Sequence, residues 1–216
     1  MSTDACREYE RQGYALLPAF VPKEVCTAVL ARMKTDLGRQ GIDIASLERD
    51  GPLLKSRAPE LYGMHYPMFM SFLWGMTPAV EKFTGKRLLP TYSYFRLYRQ
   101  GDICRVHGDR PSCEHSMSLT LGYSDDIPWP LEVSRKRIDE PYARADEQFL
   151  VGDEASSVAM SPGDAVLYQG VHHHHGRTTP NPNRWSAHLF LHWVDRGGPY
   201  ASHAFDGQPP PTSVDF

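Results

Sequence analysis

Between residues 21 and 38 apolar side chains return every three or four positions, at Val25, Cys26, Val29, Leu30, Met33 and Leu37. That period marks one face of an amphipathic helix, with Pro22 suited to its first turn and Gly38 a natural stop. A short apolar run from Tyr14 to Leu17 predicts a strand ahead of it. Residues 60 to 84 are rich in Met, Phe, Leu and Trp and end at Gly85, which predicts one or two further core helices. Their Met and aromatic stripe reads as packing. From residue 87 the period shortens. LLPTYSYFRLY, EHSMSLTLGY, SSVAM, DAVLYQGV and RWSAHLFLHWV alternate or run apolar over strand lengths, and QGD, SDD, SPGD and TTPNPN separate them. Many short strands after a helical section predict an antiparallel sandwich or barrel with helices packed on one face. The final stretch carries PPP and few apolar residues. The expected organisation is a single domain over 1–216, with helical support over about 1–86, a strand-rich core over 87–196 and a loose tail over 197–216.

Composition narrows this picture without redirecting it. At 216 residues the chain is long enough for one sizeable core, and 41% hydrophobic with 23% charged residues is ordinary for a soluble globular protein. A formal charge of -3 gives no general attraction to nucleic acid or anionic membrane. Cys6, Cys26, Cys104 and Cys113 show no CxxC spacing and are too sparse for a disulfide scaffold, so they read as reduced thiols. The opening MSTDACREYERQGY is charged where a secretory signal is apolar, and no later segment approaches a membrane span. The expected setting is cytoplasmic and the expected partner a small molecule, amino-acid-like or a natural-product intermediate, rather than nucleic acid or membrane.

Chemistry concentrates in two stretches. In YRQGDICRVHGDRPSCE, His107 and Asp109 form an HxD pair, and residues i and i+2 of a strand share a face. Two histidines and one carboxylate on one face of an octahedral ion leave positions open for other molecules, the arrangement of non-haem Fe(II) oxygenases. The pair therefore asks for a distal histidine. YQGVHHHHGR supplies four, His172 to His175, of which His173 and His175 share one side of an extended chain. In the closing strand, alternation sets Arg184, Ser186 and His188 on one polar face, suited to binding a carboxylate. Tyr92, Tyr94, Arg96 and Tyr98 also alternate onto one face, either a pocket wall or a packed sheet surface. Arg110 directly follows Asp109 and has two readings, contact with an anionic substrate or a loop salt bridge. His65, His115, His192 and His203 read as structural or surface residues.

With these residues in view the sequence resembles the Fe(II)- and 2-oxoglutarate-dependent dioxygenases, particularly the prolyl hydroxylase-like and phytanoyl-type members. GYALLPAFVPKEVCTAVL is similar to their opening, YRQGDICRVHGD to their first ligand strand, SPGDAVLYQGVHHHHGR to their second and RWSAHLFLHWVD to the strand that closes the site. The resemblance implies a double-stranded β-helix, a jelly roll buttressed by helices. It implies Fe(II) held by His107, Asp109 and a distal histidine, with 2-oxoglutarate as cosubstrate and dioxygen as oxidant. The family pattern Y-x-G-x(4)-H-x-R puts that histidine at His175, with His174 the second choice. It also implies that Arg184, nine residues beyond His175, meets the far carboxylate of 2-oxoglutarate, assisted by Ser186 and Tyr98, with Arg177 the next candidate. The implied activity is oxidation of an unactivated C–H bond with release of succinate and carbon dioxide. The carboxylate at Asp109 favours hydroxylation, desaturation or ring closure over halogenation. Two rivals use the same histidines: a cupin-like metal enzyme without 2-oxoglutarate, and a non-enzymatic metal-binding domain.

Overall fold

The computed structural model describes residues 3–139, 145–210 and 213. Its elements run α1 (Thr3–Gln12), β1 (Tyr14–Leu17), α2 (Lys23–Arg39), β2 (Glu48–Arg49), β3 (Ala58–Tyr62), α3 (Pro67–Thr84), β4 (Leu88–Arg99), β5 (Cys104–His107), β6 (His115–Tyr123), β7 (Leu131–Arg137), β8 (Ala155–Val158), β9 (Ala165–Tyr168), β10 (His173–Arg177) and β11 (Trp185–Asp195). Two antiparallel sheets face each other. The larger has the order β1-β9-β6-β11-β4-β3-β2, the smaller β5-β10-β7-β8. This is the jelly roll expected, with the helices on the outer face of the larger sheet.

The large sheet is covered on both sides, and its strands show how. In β6 every residue is buried, yet Met117, Leu119 and Leu121 alternate with Ser116, Ser118 and Thr120. The apolar set joins Leu189, Leu191 and Trp193 of β11 and Phe95 of β4 in a core with Val29, Met33 and Leu37 of α2 and Phe69, Leu73, Val80 and Phe83 of α3. The polar set faces the space between the sheets, because successive side chains point to opposite faces. Burial of apolar side chains drives the first face; the second lines the interior with polar groups.

Four boundaries differ from expectation. Residues 58–62 form β3 rather than helix, and α3 begins at Pro67. The residue before a proline is disfavoured in the helical region, and proline suits the first helical position. Helix α2 runs past Gly38 to Arg39, and Gly41 supplies the left-handed turn with φ +67°. Gly85 does end α3, at φ +68°. Residues 201–207 are not loose: they begin as a 3₁₀ turn, kink at Ala204–Asp206 and pack against β4 and the 111–113 turn. The first 86 residues also contribute β1 and β3 to the larger sheet, so the boundary between support and core is not at residue 86.

Candidate functional site

The site begins with one cross-strand pair. His175 of β10 lies directly opposite His107 of β5, with the two ring centroids 4.4 Å apart. Asp109 follows β5 and completes the group: His107 Nε2 is 3.6 Å from its Oδ1, and His175 Nε2 is 3.6 Å from its Oδ2. One ligand atom from each residue lies within 4.8 Å of the other two. All three side chains are largely buried.

The hydrogen bonds behind these ligands set the tautomers. His107 Nδ1 is 2.7 Å from the Arg105 carbonyl and His175 Nδ1 is 2.9 Å from the His173 carbonyl. A carbonyl only accepts, so each Nδ1 carries the proton and each Nε2 presents a lone pair toward Asp109. Burial, reinforced by His175, pulls the His107 pKa down to about 4, leaving a neutral imidazole at pH 7. Burial disfavours the charge on Asp109, but the neighbouring His175 and His107 rings hold its carboxyl below the usual range. Two imidazoles and one carboxylate on a single face fit a divalent first-row ion with open positions.

The carboxylate is seated by its surroundings. Ser116 Oγ donates to Asp109 Oδ2 at 3.0 Å, and Asp109 N–H donates to the Gly170 carbonyl at 2.9 Å. A Cβ on Gly170 would stand 2.1 Å from Asp109 Oδ2, so glycine is the residue that leaves room for the ligand. Tyr168 packs its ring 4.6 Å from that of His175.

The other three histidines of the run act as local ties. His172 Nδ1 donates to the Ile138 carbonyl at 3.2 Å and His173 Nδ1 to the Ser134 carbonyl at 2.9 Å. His174 Nδ1 pairs with the buried Asp153 carboxylate at 2.7 Å. Pairing between β10 and β7 shifts register between His173 and His175, so simple alternation does not describe the run. The ring of His173 also lies where a Cβ on Gly13 would sit, 2.0 Å from its Nε2.

The residues expected to meet 2-oxoglutarate are only partly brought together. Tyr98 is buried between the sheets, where its hydroxyl accepts from Arg96 Nη1 at 2.9 Å and its ring meets Trp129 edge-on. Ser186 is buried too, but its hydroxyl donates to Asn181 Oδ1 at 2.7 Å. Arg184 lies outside. Its N–H and Nε donate to the Asp125 carboxylate at 2.8 and 3.2 Å, and its side chain is 73% exposed. Position 184 precedes β11, and Asp125 with Ser124 caps that strand entry and draws the arginine outward.

A different arginine occupies the interior. Arg177, 1% exposed, donates to the Trp129 carbonyl and to Ser118 Oγ, lies beside His188 Nδ1 at 3.4 Å, and sets its guanidinium 4.8 Å over the Trp129 ring. Among the described residues no carboxylate comes within ion-pair distance of it. His188 Nε2 is buried and finds no hydrogen-bond partner. Burial, followed by Arg177 and Arg96, drives the His188 pKa well down. By contrast Arg96 is neutralised by Glu60 at 2.6 Å.

His192, read from the sequence as a structural or surface residue, is buried and shares the inner face of β11 with His188. Its Nδ1 is 2.9 Å from Ser116 Oγ, and with Asp109 and Cys113 it forms a second convergent group. Continuing the alternation four residues beyond His188 is the signal that finds it.

No protein-family model matches this sequence, and no curated protein matches it in sequence. Solved structures match its fold. The non-heme alpha ketoglutarate dependent carbocyclase SnoK from nogalamycin biosynthesis superposes with a TM-score of 0.69 at 15% identity, covering 99% of this chain and 94% of that one. A Pseudomonas putida prolyl-4-hydroxylase gives 0.57 at 15% identity over 90% and 98%. HygX from Streptomyces hygroscopicus, solved with nickel and 2-oxoglutarate bound, gives 0.63 at 12% identity over 91% and 88%. The chain therefore has the double-stranded β-helix fold found in non-haem 2-oxoglutarate oxygenases. Among the described residues no helix is long and apolar enough to cross a membrane.

Proposed function

We propose that this protein is an Fe(II)- and 2-oxoglutarate-dependent oxygenase acting on a small molecule. The observation that carries the reading is the convergence of His107, Asp109 and His175 between the two sheets of a jelly roll. His107 Nε2, His175 Nε2 and the Asp109 carboxylate would hold the ion, with Arg105 and His173 carbonyls and Ser116 orienting them. Iron(II) with 2-oxoglutarate and dioxygen supplies oxidation of an unactivated C–H bond, with release of succinate and carbon dioxide.

Arg177 supports the cosubstrate half of the reading. A buried guanidinium without a counter-ion is costly, and a dicarboxylate reaching into the space between the sheets removes that cost. We assign the far carboxylate to Arg177, with His188, Thr120 and Ser118 beside it, in place of the surface Arg184. Trp129 and Tyr98 exclude water around this end and fix the guanidinium plane.

The test is anaerobic titration of the metal-free protein with Fe(II) and 2-oxoglutarate, watching for the visible charge-transfer band of the chelated cosubstrate. The expected result is a band in the wild type and none in His175→Ala. Absence of a band in folded wild type overturns the oxygenase reading; its survival in His175→Ala transfers the ligand to another histidine of the run.

A further inference from the structure

The mouth of the site carries a second cation that the metal and cosubstrate do not use. Arg110 follows Asp109 and sets its guanidinium 4.4 Å over the ring of Tyr92. Tyr92 in turn stacks on His192 with centroids 4.5 Å apart, and its hydroxyl is 3.1 Å from Cys113 Sγ. Cys113, His192 and Asp109 present ligand atoms within 4.8 Å of one another. A continuous line of contacts therefore joins Arg110 to the metal-binding carboxylate.

The same ring begins a ladder toward solvent. Tyr92, Tyr94 and Tyr62 stack mutually, with centroids 6.0, 5.4 and 6.3 Å apart, and Tyr62 is exposed. His192 Nε2, buried beside this wall, has no hydrogen-bond partner. Tyr62, the outermost ring, leaves exposed aromatic surface at the end of the ladder that Arg110 caps, and an aromatic surface near a guanidinium is suited to an aromatic or conjugated acid.

What sits on Arg110 is a carboxylate of the chain itself. Asp206 Oδ1 lies 2.9 Å from Arg110 Nη2, both side chains being partly exposed. Asp206 and the preceding Phe205 have φ of +56° and +53°, in the left-handed region that non-glycine residues avoid. Such a turn persists only where its contacts hold it. The pair is partly exposed, and a free carboxylate that engages two guanidinium nitrogens in parallel can compete with it.

We propose that Arg110 recognises a carboxylate of the substrate, that the exposed ring of Tyr62 receives its flat portion, and that Asp206 occupies the place of that carboxylate until substrate displaces it. This deepens the oxygenase reading and rests on it for the word substrate. The anion site itself stands on the contacts of Arg110.

The probe is 2-naphthoate, with neutral 2-naphthamide as control, titrated calorimetrically into the full chain. The titration is made both metal-free and loaded anaerobically with Fe(II) and 2-oxoglutarate. Asp206→Asn keeps a residue that tolerates positive φ, and is expected to bind naphthoate about two- to fivefold more tightly than wild type, the scale of one partly exposed ion pair. Arg110→Gln is expected to lose about tenfold or more, and naphthamide to distinguish none of the three proteins. In the loaded protein naphthoate is expected to shift the charge-transfer band. Equal naphthoate affinity in wild type and Arg110→Gln, weaker binding in Asp206→Asn, or no binding to any form would overturn the inference. If no charge-transfer band forms, the oxygenase reading fails while the naphthoate comparison in metal-free protein still decides the anion site.

Discussion

Replacing Arg177 with methionine separates the role of this residue from that of Arg184 and has opposite expected effects on ligand binding and on folding. Arg177 is 1% exposed and has no carboxylate partner among the described residues, so its charge is met by the Trp129 carbonyl, Ser118 Oγ, His188 Nδ1 and the face of the Trp129 ring. A hydrogen bond to a charged group contributes about 1.5–3 kcal/mol. Losing that contribution to 2-oxoglutarate is expected to raise its Kd by about 10- to 150-fold. Iron affinity is expected to stay unchanged, because His107, Asp109 and His175 are untouched. Folding should respond differently: removing an uncompensated buried charge and keeping the side-chain volume is neutral or stabilising in the absence of ligand. Arg184→Met, on the exposed Asp125 pair, is expected to leave 2-oxoglutarate affinity at the wild-type value. The assay is anaerobic titration of the charge-transfer band, with thermal melting of the metal-free proteins alongside. Wild-type cosubstrate affinity in Arg177→Met, or a large loss in Arg184→Met, would refute the reasoning.

Three further outcomes are expected. In Gly170→Ala the new Cβ would stand 2.1 Å from Asp109 Oδ2 and 2.8 Å from Ser116 Oγ, so displacement of the carboxylate should weaken Fe(II) binding by about 10- to 100-fold in a metal titration; unaltered binding would contradict this seat for Asp109. His174→Ala should retain the charge-transfer band but lose about 1–3 kcal/mol of stability, since it strands the buried Asp153 carboxylate; denaturant melts of equal midpoint would argue against that tie. Acid should destabilise the metal-free protein. His107, His115 and His192 are each lowered by burial to about 4, from an ordinary 6.5, so between these values the unfolded chain binds more protons and stability falls as pH falls. Near pH 5 three such groups give a slope of about 4 kcal/mol per pH unit, and a flat stability profile from pH 6.5 to 4 would show that these rings are not buried neutral.

The sequence by itself determined the alternating strands, the helix ending at Gly85 and the HxD pair, because each depends on local period or on residues two apart. Tyr14–Leu17 was legible as a strand for the same reason, and so was the polar face of β11 that carries Ser186 and His188. Tertiary structure decided where each member of a candidate set lies. Among the four histidines, the cross-strand position of His175 against His107 turns its Nε2 toward Asp109, while a register shift and partners at Ile138, Ser134 and Asp153 occupy the others. The placement of the two arginines rests on residues distant in sequence. Asp125 draws Arg184 to the surface, and Trp129 with Ser118 encloses Arg177. Alternation states which face a side chain shares within one strand. It does not state where the strand begins, and at position 184 a capping carboxylate from another loop settles that against the pattern.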